Sequence, residues 1–307
     1  MNRNWLLAGL VGASLFGAAI WHRRKKRREL AWSVNNSIEE VVQAHAEYLN
    51  LNHPAFSSKF EKLLLADREA AIGEATVFSL LKTYFRARPE PADVPGTGGV
   101  DFICHRGRPE EFVVEVTALT PEAVAAQSGI PTEIEDGAGG PFKMTTDQLF
   151  STVRSKADQL SGYPCPRVLA ITSTHHAASF LLGPSGAEFL LTSEPAITYP
   201  LAGTAGPVTM TTNLRRSVFF GPGPTGNQIV PRRQSVSAVL LLALDELRSN
   251  MVGLLHPVPA RRLNLEPFRD VPFLRLTEWP IVDGAIRTEW MISSPESRHF
   301  PHAPVRS

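Results

Sequence analysis

Two runs of strand-forming residues, each carrying a carboxylate, constrain this chain more than anything else in it. The first is Gly99-Val100-Asp101-Phe102-Ile103-Cys104 and the second is Phe112-Val113-Val114-Glu115-Val116-Thr117-Ala118-Leu119. Between them His105-Arg106-Gly107-Arg108-Pro109 supplies turn chemistry. Two such runs around a short turn predict a β-hairpin that sets Asp101 next to Glu115. Side chains alternate across a strand, so Glu115 shares a face with Val113 and Thr117, while Val114 and Val116 point into a core on the other side. Asp101 shares its face with Ile103, and Cys104 falls in the opposite, buried phase as a small hydrophobe. Two carboxylates side by side in apolar runs repel each other unless a cation lies between them. Hard oxygen donors of this kind suit Mg²⁺ or Mn²⁺. An exposed hairpin at a sheet edge accounts for the same two residues without any site.

The pattern around the hairpin predicts an α/β fold with a mixed central sheet flanked by helices. Residues 56–86 read as one long helix or two, with Phe60, Leu63, Leu64, Ala71, Val77, Phe78, Leu81 and Phe85 on its apolar face and Glu69 and Glu74 within it. Residues 88–99 read as a Pro/Gly-rich loop and residues 120–145 as a long one. Residues 146–160 form a helical stripe through Leu149, Val153, Ala157 and Leu160, and residues 166–173 form a buried strand. A helix over 175–182, strand-like pieces at 188–191, 208–212 and 217–220, an apolar helix over 235–247 and a strand over 251–256 follow. Residues 271–307 hold terminal strands and a loose tail. The main domain is thus placed at 56–270.

The N-terminus has a different character. Residues 5–21 are uncharged, with Trp5 and Trp21 at the two ends, and residues 23–28 are all basic. That length and flanking predict a single membrane-spanning helix with the basic side in the cytoplasm. Residues 1–30 are accordingly assigned to an anchor and its basic flank, and 31–55 to a stalk helix or linker. Seven of the 31 Lys and Arg and one of the 30 Asp and Glu lie in the first 30 residues. The remainder therefore carries 24 basic and 29 acidic residues, so any nucleic-acid contact rests on a local groove and not on bulk charge. Two cysteines, Cys104 and Cys165, make no disulfide framework. Gly221-Pro222-Gly223-Pro224-Thr225-Gly226 has the glycines of a phosphate loop, but Asn227-Gln228 stands where Lys-Ser/Thr is required. His175-His176 lacks partners at metal-ligand spacing.

Gly99-Val100-Asp101 followed by Glu115-Val116-Thr117 resembles the metal-binding core of the PD-(D/E)xK nuclease superfamily, whose fold is restriction-endonuclease-like. The likeness covers about residues 60–175, and its motif is short and divergent. It implies that Glu74, in Ile72-Gly73-Glu74-Ala75, is the helix acid that precedes the motif. It implies Mg²⁺ or Mn²⁺ held by Asp101, Glu115 and the Val116 carbonyl, and hydrolysis of DNA phosphodiester bonds. Thr117 departs from the pattern, since the family places a lysine there. Some branches supply that lysine from the next helix, and Lys156 in Lys156-Ala157-Asp158-Gln159 matches such a position, with Gln159 on the same face. Glu74, Asp101, Glu115 and Lys156 are the catalytic set implied, with Arg106, Arg108, Arg154 and Gln159 as contacts to DNA. The sequence leaves two rivals open. One is an inactive nuclease-fold module that binds nucleic acid or a protein partner. The other is an unrelated membrane-anchored α/β domain.

Overall fold

The computed structural model describes residues 38–92, 99–132, 147–192, 196–198, 209–211, 214, 217–225, 228–244, 249–268, 270–281 and 286–291. The expected membrane segment, residues 5–21, lies outside them. Among the described residues no helix is long and apolar enough to cross a membrane.

Three helices open the described chain: α1 (Ile38–Asn52), α2 (Pro54–Ala66) and α3 (Arg68–Ser79), the last running on through one π-helical turn at Leu80–Tyr84. Of the one long helix or two expected over 56–86, two form, and they divide at Asp67. That residue leaves helical geometry, and its carboxylate accepts the Ala70 N–H at 3.0 Å as the N-cap of α3. α1, expected as a stalk or linker, packs on the other two. It buries Val41, His45 and Leu49 against Phe60, Ala71 and Ala75.

An eight-stranded mixed sheet follows. Strand β1 (Pro89–Pro91) pairs antiparallel with β2 (Phe102–Cys104), and β2 with β3 (Phe112–Ala118). β3 runs parallel to β4 (Arg167–Ser173), and β4 parallel to β9 (Ala238–Leu244). β10 (Ser249–Leu255), β11 (Phe273–Leu276) and β12 (Thr288–Met291) complete the sheet. Two small hairpins stand apart from it, β5 (Ala196–Thr198) with β6 (Thr209–Thr211) and β7 (Phe220–Pro222) with β8 (Ile229–Pro231).

All seven residues of β4 and of β9 are buried, because helices and loops cover both faces. One face carries Val113, Leu169, Ile171, Val239 and Leu241, and α5 (Asp147–Gln159) packs on it through Leu149, Val153 and Ala157. The other carries Val114, Val168, Ala170, Leu240 and Leu242 against Ile72, Val77 and Phe78 of α3. The period-2 alternation of the strands thus divides the core in two.

Four expectations are corrected. The loop expected over 88–99 contains strand β1 (Pro89–Pro91), which pairs with β2. The apolar run at 235–247 is not a helix but strand β9. A strand buried on both faces loses the alternation that identifies it and reads like a buried helix. Residues 188–191 belong to helix α7 (Pro184–Thr192), which follows the short helix α6 (Ala178–Leu181). The loop expected over 120–145 contains helix α4 (Pro121–Ser128), with ordinary boundary signals. Thr120 caps it by accepting the Ala123 N–H, Pro121 follows, and Gly129 closes it at φ 73°.

Candidate functional site

The predicted hairpin forms with Phe102 opposite Val114 and Ile103 opposite Val113. Its turn is closed by the Arg108 N–H donating to His105 O and the Glu111 N–H donating to Arg108 O, both at 3.0 Å. Gly107 enters it at φ 72°. Continuing the register by one residue sets Asp101 across from Glu115. The Asp101 N–H still reaches Val114 O at 3.1 Å. Beyond that point β2 has ended while β3 continues along β4 to Ala118. The Asp101 carboxylate takes the place of the missing strand: its Oδ2 accepts the Val116 N–H at 2.7 Å. This bond satisfies a donor that the end of β2 would leave exposed.

Glu115 points to the α5 side of the sheet and is 4% exposed. Lys156, from the flank of α5 next to the buried Val153 and Ala157, donates from Nζ to Glu115 Oε1 at 2.6 Å. Glu115 Oε2 is buried with no hydrogen-bond partner. Burial pushes the Glu115 carboxyl up, the bond and charge of Lys156 and the charge of Lys59 oppose that, and Glu74 adds to it. The Asp101 carboxyl is held well above its usual range, first by burial, then by the charges of Glu115 and Glu74. The Val116 N–H and Lys156 act against them.

Glu74 reaches this group from α3, on the opposite side of the sheet. Gly73 makes the approach possible. A Cβ there would collide with Thr172 Oγ1 on β4 and make ordinary contact with Val116 of β3. Glu74 Oε1 lies 3.5 Å from Nε2 of His45, a buried ring set edge-on to Phe60 at 4.8 Å and tilted against Phe78 at 4.5 Å. Glu69, the other acid of α3, accepts from Thr174 Oγ1 at 2.6 Å and ties the helix to the end of β4.

Two residues of this neighbourhood escape sequence reading. His45 sits on the apolar stripe of α1 with Val41 and Leu49, so its spacing marks only a core position. Lys59, exposed on α2, has no local signal at all; only the tertiary fold turns its charge toward Glu115.

Of the residues expected to touch DNA, none is brought against the carboxylates. Arg106 and Arg108 stand in the turn at the far end of the hairpin, where Arg106 Nε pairs with Glu90 Oε2 at 3.3 Å. Arg154 and Gln159 are exposed on α5, and the Arg154 charge acts on Arg233. Thr117 lies opposite Ile171 on β3, half-buried.

The donors here are hard oxygens, one buried carboxylate oxygen is unpartnered, and burial, with neighbouring carboxylates adding to it, raises two carboxyl groups. Those are conditions under which a hard cation is favoured. Asp101 and Glu115 supply the carboxylates for it, beside the Val116 main chain. Among the described residues, however, no group of three or more His, Cys, Asp or Glu side chains is set to hold a metal. Lys156 in its present place already neutralises one oxygen of Glu115. In comparison with known proteins, no family model matches the chain, and neither a characterised protein nor a solved structure matches it significantly.

Proposed function

We propose that the chain is a metal-dependent nuclease that hydrolyses DNA phosphodiester bonds, tethered to a membrane by residues 5–21 with its body in the cytoplasm. The observation that carries the activity is the ion pair between Lys156 and Glu115, formed beside an Asp101 that is clamped to the next residue of the same strand. A lysine from α5, the second helix after β3, thereby stands at the carboxylate whose own strand offers only Thr117. Asp101 and Glu115, with the Val116 carbonyl, would hold Mg²⁺ or Mn²⁺, which when bound polarises the scissile phosphate and lowers the pKa of a water. Lys156 stabilises charge developing on the phosphate. The Val116 N–H fixes the Asp101 carboxylate in one orientation, so no reorganisation is needed at that ligand. Glu74 contributes negative charge from the α3 side, with His45 beside it.

A second reading, a nuclease-fold module that binds nucleic acid or a protein without cutting, is favoured by Thr117 in the place of the motif lysine. The two readings separate in one assay. The full-length protein is incubated with plasmid and with single-stranded DNA in Mg²⁺ or Mn²⁺, beside Asp101→Ala, Glu115→Ala and Lys156→Ala variants. Activity should fall by about 10²-fold or more in each variant. Cleavage that persists equally in the variants overturns the site. DNA binding without cleavage by the wild type establishes the second reading. For the tether, a reporter that works only in the cytoplasm, fused after Ser307, should be active.

A further inference from the structure

At the end of the hairpin away from the carboxylates, arginines from two separate segments line a cleft of about 410 Å³. Arg108 comes from the hairpin turn, and Arg261 and Arg262 from the segment after β10. Cys165 lines it between Pro164 and Pro166. We propose that this cleft is a second binding site, for the phosphate group of a small phosphorylated ligand.

Charge is the first argument. Three arginines line the cleft against one acid, Glu111, whose Oε2 is already engaged by the Gly107 N–H of the turn. Among the described residues none of the three guanidiniums has a salt-bridge partner. The charges that act on the neighbouring His105 ring are those of Glu110, Arg108 and Arg88, and those that act on Cys165 are those of Glu111 and the buried Arg167, which also feels Arg261. Arginines outnumber acids in the lining, and such an excess is relieved when an anion enters.

Geometry is the second. Arg86, Arg88 and His105 all have left-handed backbone, at φ 52°, 48° and 52°. They lie together, since the His105 N–H donates to Ala87 O at 3.0 Å. Backbone held in that region often marks functional segments, and these residues border the turn that carries Arg108 without lining the cleft themselves. Planar guanidiniums match phosphate oxygens in pairs. The volume is that of a small-ligand pocket, which typically spans roughly 300–1,000 Å³. The site lies at the N-terminal end of β3, while Glu115 lies further along that strand, so it stands or falls independently of the nuclease reading.

Cys165 is a built-in reporter. It is partly exposed at the cleft, whereas Cys104 is fully buried and serves as the internal control. The full-length chain is alkylated with iodoacetamide at mildly alkaline pH, and labelling of each cysteine is followed by peptide mass spectrometry. Inorganic pyrophosphate at about 1 mM, at constant ionic strength, should slow labelling of Cys165 about fivefold or more. The Arg108→Ala/Arg261→Ala variant should show no protection, and Asp101→Asn should be protected like the wild type. Two further arms identify the source of the phosphate. Protection by ADP points to a free nucleotide. Protection by a 5′-phosphorylated oligonucleotide, and not by the same strand without its phosphate, points to a nucleic-acid end. Unchanged labelling with pyrophosphate overturns the proposal, as does equal protection in the double-arginine variant.

Discussion

Asp101 has two jobs that conflict. Its Oδ2 replaces a missing strand at Val116, yet its charge sits near those of Glu115 and Glu74. A carboxyl group held above its ordinary range binds its proton more tightly folded than unfolded. Ionising it therefore destabilises the fold: stability is greatest below the unfolded value, near 4, and declines as pH rises through the raised folded value. Asn keeps an oxygen for the Val116 N–H and removes the charge. Asp101→Asn should therefore melt higher than the wild type at pH 7–8, by something on the order of 1 kcal/mol, or roughly 2–4 °C. At pH 4 the two should melt together. Millimolar Mg²⁺ should raise the wild-type midpoint and leave the variant's unchanged. Thermal unfolding at pH 4 and pH 8, with and without Mg²⁺, decides this; parallel melting across that range removes the idea that the carboxylates are held in repulsion. The conflict was half legible in the sequence. Asp101 and Glu115 stand out because strands seldom place charges in apolar runs, whereas Lys156 stands out only through the likeness of Lys156-Ala157-Asp158-Gln159 to the superfamily's helix motif. Lys59 and His45 do not, because what makes them part of the site is the packing of α1 and α2, which no local pattern encodes.

Among the elements, the contact of α3 with the β3–β4 pair is the one the site depends on. It is also held by a single atom's absence. Gly73 sits where a methyl group would meet Thr172 Oγ1, and that hydroxyl is itself buried with no hydrogen-bond partner. Gly73→Ala should lose about 1–3 kcal/mol through overpacking, partly offset by alanine's better helix propensity. Because the clash is with a side chain, Gly73→Ala/Thr172→Ala should recover most of what the single change loses. Urea titrations of the two singles and the double close the cycle; a double variant no better than Gly73→Ala would locate the close approach elsewhere. Element boundaries differ in how well the sequence foretells them. α5 keeps one wet side, so its periodicity survives and it falls within a residue of where its pattern puts it, while the hairpin, whose β3 is buried over residues 112–115, is marked instead by its turn and its two carboxylates. β9 has no wet side: Ala238-Val239-Leu240-Leu241-Leu242-Ala243-Leu244 is apolar throughout, and only its pairing between β4 and β10 makes it a strand. The helix Pro121–Ser128 was announced by Thr120, Pro121 and Gly129, but its small, weakly apolar residues supply little stripe to confirm it.

At the scale of the whole molecule, the sheet is a partition with the carboxylates at a gap in it. Glu115 projects to the α5 side and Glu74 comes from the α3 side. The early end of β2 is what lets both act on Asp101. Both layers are therefore required for the site, and the α3 layer depends in turn on α1. That helix buries Val41, His45 and Leu49 over Phe60, Ala71 and Ala75, and its His45 is the neighbour of Glu74. A stalk would be dispensable to the body it carries; a packed helix is not. Burying each of these apolar side chains is worth about 1.5–3 kcal/mol, so losing Val41 and Leu49 together should remove about 3–6 kcal/mol, a large part of the stability of an ordinary domain. A chain beginning at residue 38 and one beginning at residue 53 test this directly. The first should unfold cooperatively. The second should be insoluble, or unfold at much lower urea, with the aromatic cluster of Phe60, Phe78 and Phe102 opened to a hydrophobic dye. If the shorter chain matches the longer in urea midpoint, α1 is an appendage after all, and the part of the fold that supports Glu74 begins at Pro54.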